Sequence, residues 1–269
     1  MSSSASGVPF GKRFGRPLLA GSPGIVALVG YIYLTTPPAA VPAGLSLPLL
    51  AVLSAVNPLL LLGVACLAGA YTAPRVGLQS YLVDRKETGE GVWERLRDEV
   101  GLAFGVGVVG GVLIALLDAL LIPSVAQDLP PSLIAPTSPT IARVLAYAPV
   151  RFLYGGITEE LMLRFGLMSL LAFVGWGVTG RQGDGPGPGV MWAAIVGSAV
   201  LFGVGHLPAL AQSMTLTPAL VARTVLLNAV AGVLFGWLYW RRSLEATMVS
   251  HASFHVPLVV LSPLQVALL

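Results

Sequence analysis

Apolar residues in this chain gather into long runs, each near the roughly 20 residues that a helix needs to cross a bilayer, and polar positions collect between them. The runs cover about Leu18 to Leu34, Leu47 to Tyr71, Leu102 to Ile122, Ile141 to Val174, Val190 to Leu207, Leu220 to Trp240 and Leu244 to Leu261. This pattern predicts an all-α polytopic membrane protein, with about seven transmembrane helices forming a bundle. The fourth run is too long for one perpendicular span, and Pro149 is expected to break it into an entry segment and a core helix from about Val150. Pro58 is expected to kink the second span.

The polar stretches organise the chain. Met1 to Pro9 is small and polar and is expected to be disordered, and Arg75 to Glu99 is charged and amphipathic, an interfacial or aqueous loop. Pro123 to Thr140, with Pro123, Pro130, Pro131, Pro136 and Pro139, reads as a stiff linker. It marks a boundary between an N-terminal membrane region of three spans, 1–140, and a region of four spans, 141–269. Gly175 to Gly189 is a loop broken by alternating Gly and Pro.

Composition agrees with a membrane protein: the chain is 55% hydrophobic and only 10% charged, against about 25% charged in an ordinary soluble domain. The net charge of +3 comes mostly from Lys and Arg in the connections. Lys12, Arg13, Arg16, Arg75, Arg85, Lys86, Arg95, Arg97, Arg181, Arg241 and Arg242 all fall on one side of a seven-span arrangement. The positive-inside rule then predicts a protein of the cell membrane with its N-terminus cytoplasmic and its C-terminus outside. Those cations read as topology determinants, so the lipid bilayer is the expected partner and nucleic acid is not. Trp237, Tyr239 and Trp240 beside Arg241 suggest an interfacial aromatic belt. The single cysteine, Cys66, excludes an intramolecular disulfide and a cysteine-cluster metal site.

The chemistry concentrates in Thr158-Glu159-Glu160-Leu161-Met162-Leu163-Arg164, where three formal charges stand inside an apolar run. Each costs roughly 2.5 to 3.5 kcal/mol near the bilayer centre, so such groups are normally paired, turned inward and functional. Glu160 and Arg164 share a helical face at i,i+4 in the favoured acid-before-base order. Glu159 lies about 100° away around the helix and has no such partner, which suits it to general base work. All three histidines follow it: His206 ends the fifth run, and His251 and His255 stand i,i+4 on the seventh. Two imidazoles and a carboxylate from different helices can hold Zn²⁺ or a hydrogen-bonded water.

Glu159-Glu160-x-x-x-Arg164, Phe202-x-x-x-His206 and His251 after Ser243-Leu244-Glu245-Ala246-Thr247-Met248-Val249-Ser250 together resemble the ordered signatures of the CPBP intramembrane protease family. That family includes type II CAAX prenyl endopeptidases and bacteriocin-processing or immunity homologues. The resemblance covers about Val150 to Val260. It implies a catalytic Glu159 that activates water, a supporting Glu160 and Arg164, and His206 and His251 positioning that water or a metal. The family usually ends its last signature on Asn or Asp, where this chain has His255. His255 is therefore either a third imidazole ligand, with His206 and His251, for Zn²⁺, or the mark of an altered site.

The expected function is hydrolysis of a peptide bond in a membrane-associated or lipidated peptide or protein. With metal, Zn²⁺ would acidify bound water and polarise the carbonyl; without it, Glu159 would deprotonate water and the histidines would stabilise the oxyanion. Two other readings compete: an inactive membrane scaffold or immunity-type binder, and a proton-coupled transporter. A transporter should spread polar residues over both halves of the chain, whereas here they are confined to one.

Overall fold

The computed structural model describes residues 7–85, 89–129, 141–212 and 214–267. Among these the chain is helical, without a strand, and its helices are α1 (Phe10–Thr35), α2 (Leu47–Leu53), α3 (Val56–Thr72) and α4 (Val92–Val125) in the first half. The second half holds α5, a continuous helical rod over 141–178, then α6 (Pro188–Gly205), a short α7 (Leu207–Ala211), α8 (Pro218–Arg241) and α9 (Leu244–Ala267). Six helical stretches are long and apolar enough to cross a membrane: Phe10–Thr35, Leu47–Val76, Val92–Asp128, Val144–Val178, Pro188–Ala211 and Pro218–Arg241. The fold is thus an all-α polytopic membrane bundle, with α9 packed beside those six.

Several expected boundaries shift, each for a physical reason. The second span breaks at Ser54 and Ala55, between α2 and α3, and not at Pro58. The proline ring clashes with the carbonyl four residues earlier, that of Ser54, so the damage appears one turn upstream. Helix α4 absorbs the end of the charged loop, starting at Val92 with the Gly91 N–H donating to the Glu94 carboxylate at 2.6 Å. Its 34 residues would rise about 51 Å, well beyond a hydrocarbon core of about 30 Å, so the charged first turns stand outside it. The helix also runs through Pro123 to Val125; residues 130–140 of the expected linker and Met1 to Ser6 of the expected disordered start lie outside the described residues. Tyr239, expected in an interfacial belt, is fully buried in the core; Trp240 instead meets Trp192 edge-on at 6.0 Å with Arg241 over its ring.

Helix α5 is the structural centre. Its N-terminal part packs on α1, where Thr158 donates to the Gly21 carbonyl at 2.7 Å. A Cβ at Gly24 would come within 2.7 Å of the Leu153 carbonyl oxygen, so only glycine allows this approach. Its C-terminal part packs on α3, with Thr72 and Ser169 hydroxyls 2.7 Å apart. Helix α9 lies against both α4 and α5, and α6 packs on α8.

One end of the bundle gathers the basic connections. Arg16 donates to the Arg85 carbonyl at 2.5 Å, Arg95 lies over the Tyr81 ring, and the Leu244 N–H donates to the Gln79 carbonyl at 3.0 Å. Glu245, buried at the start of α9, accepts from the Ser80 hydroxyl at 2.7 Å and from the backbone N–H groups of Tyr81 and Leu82, each at 2.9 Å. This carboxylate ties the loop to the first turn of α9, where it also meets the positive end of the helix dipole. Replacing Glu245 by Leu should strand three donors and cost at least about 3 kcal/mol, since bonds to charged groups contribute about 1.5 to 3 kcal/mol each. Denaturant unfolding in detergent checks this, and a loss under about 1 kcal/mol would show that the tie is dispensable.

Candidate active site

The backbone under the two glutamates is not an ordinary α-helix. Within α5, Ile141–Pro149 is α-helical, Val150–Glu159 and Leu161–Met168 have π-helical hydrogen bonding, and Ser169–Val178 returns to α. The expected break at Pro149 does not occur. Pro149 has no N–H to give to the ladder, and the hydrogen-bond register changes at the next residue, so the rod continues. Wider π turns recur at functional sites, where they re-aim side chains that a regular helix would stack.

The two adjacent carboxylates are treated differently. Glu160 is completely buried and lies between two cations or potential cations: its Oε2 is 3.4 Å from Arg164 Nε, and its Oε1 accepts from His251 Nδ1 at 2.7 Å. Arg164, also completely buried, donates from Nη2 to the Gly232 carbonyl at 3.0 Å and lies over the rings of Phe202 and Phe235. The i,i+4 pair expected from the sequence is therefore present, and His251 joins it from α9. A carboxylate holding Nδ1–H leaves Nε2 as the free nitrogen of neutral His251.

Glu159 is only half-buried and faces a cavity of about 290 Å³. His206, His251 and His255 line the same cavity, so the structure brings together Glu159 and all three histidines singled out in the sequence, with Glu160 and Arg164 packed behind. His206 Nδ1 donates to the Phe202 carbonyl at 2.8 Å, which fixes its tautomer because a carbonyl can only accept. Aromatic rings hold the imidazoles: Phe235 stacks on His251 at 4.4 Å, and Phe202 meets His206 edge-on at 4.6 Å. Gly155 is the floor. A Cβ there would reach within 2.8 Å of His255 Nε2 and 3.8 Å of His251 Nε2, so the glycine lets both nitrogens approach the backbone one turn before Glu159.

The donor arrangement bears on Zn²⁺. His251 Nδ1 is committed to Glu160 and His206 Nδ1 to Phe202, and the His251 and His255 ring centres are 5.1 Å apart. Among the described residues, no group of three or more His, Cys, Asp and Glu side chains stands close enough to hold an ion. The Nε2 atoms of His206 and His251 stay free, the nitrogens through which imidazoles held at Nδ1 bind a metal, and the chemistry below is derived from the side chains alone.

Two polar residues of the cavity were not singled out in the sequence. Asn228, on α8, lines it while giving one Nδ2–H to the Thr224 carbonyl at 2.8 Å. Arg151 lines it at the start of the π-helical stretch that ends at Glu159. Their signal was a lone amide in an apolar run and a cation two turns ahead of the acid. Asp118 of α4 pairs with Arg223 of α8 away from the cavity lining.

Fold and composition define a polytopic α-helical membrane protein whose second half carries a buried Glu-Arg-His network beside a cavity. Residues 141–256, a little under half of the chain, match the family model described as type II CAAX prenyl endopeptidase Rce1-like. This match agrees with the resemblance to the CPBP intramembrane protease family that the Glu159, His206 and His251 signatures carry. No curated protein matches the chain, and no solved structure matches it.

The network separates the two glutamates by stability. Glu160→Gln leaves Arg164 buried beside a neutral amide and should cost about 3 to 5 kcal/mol, whereas Glu159→Gln should change stability by less than about 1 kcal/mol. Thermal unfolding of the two variants in the same detergent compares them, and equal melting temperatures would contradict the division.

Proposed function

We propose that this protein is an intramembrane endopeptidase that hydrolyses a peptide bond of a membrane-associated or lipidated peptide, with Glu159 as general base. The observation that supports this reading is the unequal pairing of adjacent carboxylates: Glu160 is taken up by Arg164 and His251, while Glu159 faces the cavity beside three imidazoles. Water that donates one hydrogen to Glu159 and the other to the free Nε2 of His206 or of His251 gives its first proton to the Glu159 carboxylate as its oxygen bonds to the carbonyl carbon. The carbonyl π pair moves to oxygen. His255, whose Nδ1 has no hydrogen-bond partner among the described residues, carries one N–H that can donate to that oxyanion. The C–N bond then breaks, and Glu159 returns the proton to the leaving nitrogen.

Glu159→Gln keeps the volume and removes the base, so cleavage of a fluorogenic prenylated peptide by the purified protein should fall at least about 100-fold. Retained cleavage would refute the assignment. The same preparation should cleave in the presence of chelator and contain no stoichiometric zinc; one zinc per chain, removed together with activity by chelation, would establish the metal mechanism instead.

The proposed orientation places the end carrying Arg16, Arg85 and Arg95 in the cytoplasm of a cell-membrane protein with seven spans, and its C-terminus outside. Reporters inserted in the Arg75 to Gly91 loop and fused after Leu269 should lie on opposite sides; the same side for both would reduce the span count by one.

A further inference from the structure

The cavity contains one fixed cation besides its titratable groups. Arg151 lines it, with its guanidinium carbon 5.2 Å from the centre of the Tyr147 ring, and among the described residues no carboxylate forms an ion pair with it. Two other arginines of this half are paired among the described residues: Arg164 with Glu160 and Arg223 with Asp118. Among the described residues Glu159 is the only carboxylate lining the cavity, and it forms no ion pair with Arg151. A guanidinium inside a membrane protein carries a large cost unless a counter-charge or water meets it, and its planar fork matches a carboxylate with two parallel hydrogen bonds.

Resting on the endopeptidase reading, we propose that Arg151 is the substrate-binding residue that captures a carboxylate of the peptide, placed on the leaving-group side of the bond cleaved at Glu159. Arg151, Gly155 and Glu159 follow one another along α5, and all three line the cavity. Eight residues of helix rise at most about 12 Å, and an extended peptide covers about 3.3 to 3.6 Å per residue. A carboxylate seated on Arg151 therefore leaves room for only a few residues before the backbone reaches Glu159. Tyr147 and Tyr154 line the cavity along the same stretch. Arg151 thereby sets where along the chain the enzyme cuts, because a carboxylate farther from the scissile bond cannot reach it.

The shared chemistry is a carboxylate, whether the α-carboxylate of a chain end or the side chain of Asp. Three prenylated peptides that share their sequence up to the last residue distinguish these: a C-terminal acid, the same peptide as its C-terminal amide, and an amide whose last residue is replaced by Asp. With the full-length protein in detergent, the acid is expected to exceed the plain amide roughly 10- to 100-fold in kcat/KM, the worth of one charge-assisted bidentate contact. The Asp amide matches the acid if any nearby carboxylate serves and matches the plain amide if the chain end is required. In Arg151→Gln the acid-to-amide ratio should fall to near one, and in Arg151→Lys it should be partly kept, which separates lost recognition from lost folding. Equal cleavage of acid and amide by the wild type, or an acid preference that survives in Arg151→Gln, overturns the proposal.

Binding of the same peptides to Glu159→Gln, followed by fluorescence anisotropy, makes the outcome independent of hydrolysis. Acid preference in binding without cleavage by the wild type would keep Arg151 as a carboxylate site and defeat the endopeptidase reading. Cleavage without that preference would do the reverse, and an absence of both cleavage and binding overturns the assignment of Arg151.

Discussion

The fully buried contact between Glu160 and Arg164 governs the rest of the structure. Neither charge could stand alone among the apolar helices, and each has recruited a further partner: His251 on α9 for the carboxylate, the Gly232 carbonyl on α8 for the guanidinium. One ion pair on α5 thereby sets the position of two other helices and the tautomer of one histidine. A buried pair contributes little net stability compared with an apolar replacement, but it makes any arrangement that separates the two charges expensive. Its effect is on which packing is allowed, and the packing it allows is the one that faces Glu159 and the Nε2 of His251 into one cavity.

Around that contact the bundle closes where side chains are smallest. Gly24 against Leu153, Gly156 against Ala252 and Gly232 against Ala199 bring α1, α9 and α6 close to their neighbours. Lipid chains are as apolar as leucine, so helices in a bilayer gain their contact from close fit and from hydrogen bonds such as Thr158 to the Gly21 carbonyl. The N-terminal helices, which carry none of the recognised signatures, are therefore part of the scaffold of the site: α1 and α3 hold the two halves of the helix that bears both glutamates.

Much of this was legible in the sequence because membrane helices are set by strong, local terms. Run length gave the helices, and the price of an intramembrane charge pointed to Glu159, Glu160 and Arg164 before any geometry was seen. The i,i+4 spacing of Glu160 with Arg164 held in space. What was not legible depended on hydrogen-bond register and on neighbours distant in sequence. Pro149 reads as a breaker because the usual rule assumes i→i+4 bonding, and the chain avoids the break by changing that bonding. His251 reads as a water ligand, but its link to Glu160 comes from a residue 91 positions away. Arg151 and Asn228 were not singled out, since nothing local shows that both border the same space.

The π-helical bonding from Val150 to Met168 has a consequence for how this segment can change over evolutionary time. A surface loop such as 179–187 absorbs added or deleted residues with little effect on what flanks it. Inside a helix, each residue gained or lost turns everything beyond it by about 100° and shifts it by about 1.5 Å. Here such a change would swing Arg164 away from the Gly232 carbonyl or move Glu159 off the cavity wall, and no substitution elsewhere could restore both. Between Arg151 and Arg164 the segment is thus constrained in length as well as in residue identity, and it acts as a fixed ruler laid between the two ends of the site.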